Sequence, residues 1–224
     1  MSLTSRSRQI VFFTGLSFAI ASNGWALPNV KLVAQAVDEH YNRLQSLEAD
    51  FTEIYQGAGI ERNESGILWL KKPGKMRWEY RSPEEKLFVG DGRNGWFYLP
   101  AEKQVHRFSL AKLEDLHSPL AFLLGKTKLE KQLQGLSFAP EVRAWKSEDS
   151  VLRGVPLGME SRVQEVLVEV TPEHQIARIL IHAVDDSLTE YRFSNQKEGL
   201  ALPEAKFHFS LPPGSELVDG EIGN

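Results

Sequence analysis

The chain has 224 residues, with 26 Lys and Arg against 30 Asp and Glu, 42 % hydrophobic residues and no cysteine. That inventory excludes a disulfide-stapled fold and a lipid attached through an N-terminal cysteine, and its acidic sign argues against nucleic acid, whose binders carry a basic footprint. The length suits one domain with a sizeable core.

Residues 1–26 read as a signal peptide. Arg6 and Arg8 form the basic start, Ile10–Ala21 the short apolar stretch, and Gly24-Trp25-Ala26 places small residues at −3 and −1. A spanning helix needs roughly 20 apolar residues, which Ile10–Ala21 does not reach. Cleavage is therefore expected after Ala26, giving an exported, soluble product. Residues 1–26 hold two Arg and no acid, so 24 basic and 30 acidic residues remain, a net charge of −6 over 198 residues. Residues 27–224 carry no repeat, low-complexity tract or linker and read as a single domain.

From Asn29 to Leu47 the apolar residues Leu32, Val33, Ala36, Val37, Tyr41, Leu44 and Leu47 recur at helical spacing, with Asn29 as cap. The period then changes to two. Strands are predicted at Ala49–Gln56, Gly66–Lys71, Lys75–Arg81, Lys86–Gly90, Gly95–Leu99 and Gln104–Ser109, separated by turn-formers such as Gly57–Gly59, Pro73-Gly74 and Asp91–Gly95. A short helix is predicted where Ser118-Pro119 caps Leu120, Ala121, Phe122, Leu123 and Leu124, stopped by Gly125. Helices below roughly 12 residues are marginal in water, so this one persists by packing and can also come off. Further strands are predicted at Val142–Lys146, Val151–Val155, Val163–Val170, Ile176–Val184, Leu188–Ser194 and Lys206–Leu211. About a dozen strands with one long and one short helix make a large curved sheet or an incompletely closed barrel, its concave face covered by the helices.

Signs of catalysis are sparse. His40, His106, His117, His174, His182 and His208 are scattered, with no H-E-x-x-H pair for a metal and no G-x-S-x-G elbow, so the chain reads as a non-enzyme without metal or cofactor. Asp91–Gly95 resembles a calcium loop but lacks the later ligands, and reads as a hairpin turn. The hairpin Gly66–Tyr80 is apolar on both faces: Leu68 and Leu70 against Ile67 and Trp69, then Met76, Trp78 and Tyr80 against Arg77 and Glu79. Such a hairpin either sits in a core or lines something apolar. Its cations Lys71, Lys72, Lys75 and Arg77 form either a solvated turn or a contact for anionic headgroups or a partner's acidic patch.

Several segments together resemble the LolA family of periplasmic outer-membrane lipoprotein carriers: Phe51-Thr52-Glu53, Gly66-Ile67-Leu68-Trp69, Lys72-Pro73-Gly74-Lys75-Met76-Arg77-Trp78-Glu79-Tyr80, Asp91-Gly92 with Trp96-Phe97-Tyr98-Leu99-Pro100, and Ser118-Pro119-Leu120. Thr189–Phe193 and Phe207-His208-Phe209 with Pro213-Gly214 extend the likeness. The resemblance implies a mainly β fold, an unclosed antiparallel β-barrel of about 11–12 strands with a helical lid, whose apolar cavity receives lipoprotein acyl chains. Expected in that cavity are Leu68, Leu70, Met76, Trp78, Tyr80, Phe88, Trp96 and Tyr98, closed by the lid residues Leu120, Phe122, Leu123 and Leu124. The family's lid-holding Arg corresponds to Lys72, with Arg77 sharing the latch, and Met76 stands where the family often has Phe. The implied partners are acylated lipoproteins, an inner-membrane ATP-driven release transporter and an outer-membrane receptor, met in the periplasm by a monomer. A lipid or lipoprotein sensor of the same fold, acting through a protein partner, and a lipid hydrolase are the competing readings.

Overall fold

The computed structural model describes residues 29–110 and 128–219. The signal peptide at 1–26 and the lid helix with Leu120, Phe122, Leu123 and Leu124 lie outside the described residues. Helix α1 runs Val30–Arg43, and Asn29 caps it, its Oδ1 accepting the Lys31 backbone N–H at 3.0 Å. The helix ends before the expected Leu47 because Ser46 and Leu47 are taken into the first strand, where Leu47 pairs with Leu70.

Among the described residues the strands are β1 (Ser46–Gly57), β2 (Ile60–Lys71), β3 (Lys75–Ser82), β4 (Lys86–Asp91), β5 (Asn94–Leu99), β6 (Gln104–Ser109), β7 (Leu133–Phe138), β8 (Ser150–Pro156), β9 (Val163–Val170), β10 (Ile176–Ala183), β11 (Leu188–Glu198) and β12 (Glu216–Asp219). A short helix α2 (Leu129–Gln132) precedes β7, and a 3-10 turn (Glu204–Phe207) follows β11. All twelve strands form one sheet in the order β12-β6-β5-β4-β3-β2-β1-β11-β10-β9-β8-β7. The outermost strands β7 and β12 do not meet, so the barrel is unclosed. Neighbours are antiparallel except β12, which runs parallel to β6. The long β1–β2 hairpin turns at Ala58 (φ 49°) and Gly59 (φ 77°), two left-handed residues whose twist suits a hairpin. Glycine is required at Gly66, where a Cβ would lie 1.8 Å from the Glu79 carbonyl oxygen.

Both faces of the sheet are covered, which explains the doubly apolar strands. On the inner face, Ala34, Val37 and Tyr41 of α1 pack with Leu47, Phe51, Leu68, Trp78, Val166, Ile179 and Phe193. On the outer face, Ala139, Val151, Leu167 and Leu180 form a second cluster with Val142, Ala144 and Leu188. The 139–149 segment lies there, so Val142–Lys146 is an irregular loop and not the expected strand: Trp145 donates its backbone N–H to Glu169 at 2.7 Å instead of to a strand neighbour. Lys206–Leu211 is likewise not a strand. It begins in the 3-10 turn and runs over the outer face of the first half, where Phe207 is buried and Phe209 stacks on Trp96 at 5.3 Å. The edge strands β7 and β12 were not expected, since neither carries an apolar alternation long enough to read.

Asp38 joins α1 to α2: its two carboxylate oxygens accept the Leu129 N–H at 2.9 and 3.0 Å. Burial pushes its carboxyl up to about 6. A folded pKa above the unfolded value near 3.9 means that the native state binds the proton more tightly, so ionised Asp38 costs stability above about pH 6 and the cost disappears as pH falls toward 4. Asp38→Asn, which keeps one acceptor for Leu129, should therefore gain on the order of 1–2 kcal/mol over the parent at pH 7.5 and little at pH 4.5. Urea unfolding of both proteins at the two pH values checks this, and an equal gap at both would contradict it.

Candidate functional site

Register decides which side chains face α1. Leu68 pairs with Trp78, Leu70 with Met76, and Trp78 with Phe88. A side-chain period of two then puts Leu68, Leu70, Met76, Trp78, Tyr80 and Phe88 on the inner face, where all six belong to the α1 cluster or pack against it. Leu68, Leu70, Met76 and Trp78 are at most 6 % exposed, while Tyr80 and Phe88 are half-buried. Phe51 packs against Trp78 and Tyr80, its ring edge-on to them at 4.8 and 4.9 Å. Tyr191 and Phe193 of β11 meet Trp78 from the other side at 6.2 and 6.4 Å.

Trp96 and Tyr98 do not share this face, contrary to the sequence expectation. The three residues 72–74 connecting β2 and β3 pair even-numbered positions with even ones. The connection between β4 and β5 is two residues, 92–93, and its last pair is Gly90 with Gly95; this reverses the parity, so Phe88 pairs with Phe97, Val89 with Trp96 and Leu87 with Tyr98. Phe97 takes the inner position, beside Phe108, whose ring stacks on Phe88 at 5.9 Å. Trp96 and Tyr98 lie on the outer face, packed against Phe209. Loop length was the signal that could have found Phe97; for Phe193 and Leu47 the signal was their alternation with neighbouring apolar residues.

Lys72 holds the end of α1. Its Nζ donates to the Tyr41 carbonyl and, at 2.9 Å, to the Asn42 carbonyl. Its backbone N–H reaches Gln45 O at 2.9 Å. The Tyr41 and Asn42 carbonyls are among the last of the helix, which lack partners inside it and carry the negative end of its dipole. Burial holds the Lys72 ammonium below the usual lysine range. The expected latch of Lys72 and Arg77 on the lid helix lies outside the described residues; Arg77 takes no part in the α1 contact, because β3 alternation turns it outward, where it donates to Glu79 at 2.7 Å and to the Lys206 carbonyl at 3.1 Å. The other cations of the hairpin are also compensated internally. Lys71 and Lys75 both pair with Glu204, whose carboxyl these bonds push down to about 2. Lys206 caps the outer ring of Trp69 at 3.3 Å. Asp91 is a turn residue, its Oδ1 accepting the Arg93 and Asn94 N–H groups, each at 2.7 Å.

A polar group interrupts the inner face below Phe51. Glu53 accepts the Tyr80 hydroxyl at 2.8 Å on one oxygen and the Tyr191 hydroxyl at 3.0 Å on the other. Burial raises its carboxyl above the usual range, against the pull of the two hydroxyls. Beyond it, Lys86 pairs with Glu64, and the Arg62 guanidinium lies 4.9 Å over the Tyr55 ring. Chemically, the inner face is an apolar basin under a helix, ending in a polar rim.

A family model described as outer membrane lipoprotein carrier protein LolA matches residues 42–210. The outer-membrane lipoprotein carrier protein of Chromobacterium violaceum is 29 % identical over 223 residues, covering 93 % of this chain and 98 % of that protein. Its counterpart from Nitrosospira multiformis is 29 % identical over 179 residues, covering 78 % and 82 %. Among solved structures, an uncharacterized conserved protein from Thermus thermophilus shares the fold, with a TM-score of 0.56 at 14 % identity over 85 % of this chain and 98 % of that one.

Proposed function

Because the chain belongs to the LolA family of outer-membrane lipoprotein carriers, we propose that it ferries lipoproteins through the periplasm with their acyl chains lodged between α1 and the inner face of the sheet. The observation that carries this reading is the apolar basin itself: Leu68, Leu70, Met76 and Trp78 at most 6 % exposed beneath a helix whose last carbonyls Lys72 holds. Sheet residues this well covered are reached only when the helical cover lifts, which suits a compartment that must both admit and release.

Diffusion alone could not replace such a carrier. Each CH₂ exposed to water costs roughly 0.8 kcal/mol, so one acyl chain of about 15 carbons costs on the order of 12 kcal/mol. The carrier receives its cargo from an inner-membrane ATP-driven transporter and passes it to an outer-membrane receptor. It is exported to the periplasm by the signal peptide, which is cleaved after Ala26, works as a monomer and returns the cargo chemically unchanged.

Inner-membrane vesicles bearing the transporter and a triacylated lipoprotein test this reading. The mature protein should release the lipoprotein with ATP into a soluble one-to-one complex, and mass spectrometry should find every acyl chain intact. Failure to release it would refute the carrier reading, while shortened or missing chains would point to hydrolysis.

A further inference from the structure

The inner face has a direction. Along β1, Leu47, Ala49 and Phe51 give way to Glu53, and along β11 Phe193 gives way to Tyr191; on β2 the sequence passes from Leu70 and Leu68 to Glu64 and Arg62. One end of the basin is therefore apolar and lies by the Lys72 end of α1. The other end carries a carboxylate and two phenols.

Glu53 is a carboxylate held on an otherwise apolar face by hydroxyls alone. Among the described residues its hydrogen bonds come from two neutral hydroxyls, while the cation that acts on it, Arg62, lies over Tyr55, and Lys86 is paired with Glu64. A glutamate at the edge of an apolar face is costly to keep where a leucine would pack, and its oxygens each retain a lone pair for another donor.

Resting on the carrier reading, we propose that Glu53, Tyr80 and Tyr191 form the seat for the cargo's polar linkage, the amide and ester bonds that join acyl chains to a lipoprotein's N-terminus. The amide N–H donates to Glu53, and a tyrosine hydroxyl turns from Glu53 to an ester or amide carbonyl. The chains then run from this seat toward Leu70 and Lys72. The hydrophilic protein leaves past Arg62 and Glu64, at the end of the sheet marked by the Gly57–Ile60 turn. Seating the linkage also gives selectivity: a plain fatty chain fills the basin but leaves the seat unused.

Binding is measured with two probes, a triacylated lipopeptide and a fluorescent alkyl-chain dye without amide or ester groups. Glu53→Ala should weaken the lipopeptide about tenfold, as expected for losing one hydrogen bond to a charged group, and leave dye binding unchanged; Glu53→Gln, which keeps an acceptor, should recover part of the loss. Undiminished lipopeptide binding, or equal loss of both probes, overturns the proposal. Should Glu53→Ala not fold, the wild-type protein gives the answer with a lipopeptide N-methylated at the linkage amide and carrying ether in place of ester bonds: about tenfold weaker binding supports the seat, and equal binding overturns it. Wild-type protein that takes up neither the lipopeptide nor the dye overturns the carrier reading, and the seat with it.

Discussion

Lys72→Leu should give a carrier that still takes up lipoprotein but hands it on about tenfold more slowly. The ammonium satisfies two carbonyls at the end of α1 only while that helix is docked on the sheet. On the proposed reading, in which α1 lifts to admit acyl chains, it therefore stabilises the empty, closed form and not the loaded one. By linkage, whatever favours the closed form alone favours release of the cargo. Losing about 1.4 kcal/mol of that preference, a modest figure for charge-assisted hydrogen bonds, corresponds to tenfold tighter retention. Lys72→Arg should transfer at close to the parental rate, because a guanidinium keeps the charge and offers more donors to the same carbonyls. The measurement is the rate of lipoprotein transfer from the purified complex to receptor-bearing vesicles. If Lys72→Leu transfers as fast as the parent, the latch assignment fails.

The largest loss of stability should come from Glu169, on the face away from the basin. This carboxylate is fully buried and accepts from Arg178 Nε at 2.7 Å and from the Trp145 N–H at 2.7 Å. Arg178 also reaches the Arg143 carbonyl at 3.0 Å, so the pair fastens the 139–149 loop to the sheet. Glu169→Ala strands a buried guanidinium, with Glu190 at 3.6 Å as its remaining carboxylate. Removing one partner of a buried pair costs about 3–5 kcal/mol, and in a domain of this size that lowers the melting temperature by roughly 10 °C. Replacing both partners, Glu169→Leu with Arg178→Met, should restore most of the loss, since no charge is then left unpaired. Denaturant melts of the three proteins check this; a single variant within about 1 kcal/mol of the parent would contradict the argument. Asp149 should respond as well, because burial and the charge of Glu169 together push its carboxyl up to about 6.

Local chemistry made much of the fold legible. Asn29 capped the helix as its side chain suggests, and the first six strands were marked by alternation and by turn-formers at Pro73-Gly74 and Asp91–Gly95. The inner face of the β2–β3 hairpin was legible too, because a short connection fixes register and register fixes the face of every residue. Where a connection of different length intervened, between β4 and β5, the reading put Trp96 and Tyr98 on the wrong side. Val142–Lys146 and Lys206–Leu211 carry the composition of strands, yet each is a cover for the outer face, and their composition reports burial without reporting pairing.

The sequence by itself determined the helix, the alternating strands, the family, and the apolar character of Leu68, Leu70, Met76, Trp78 and Phe88, all properties of residues within a few positions of each other. Tertiary structure alone decided that Lys72 grips the end of α1, 30 positions away by sequence. It also decided that Glu53 meets Tyr191 across 138 positions, and that β12 finishes one edge by pairing with β6. Pairings over such distances are selected by the closing of the whole sheet and by what must cover its two faces, and no local pattern of residues encodes them.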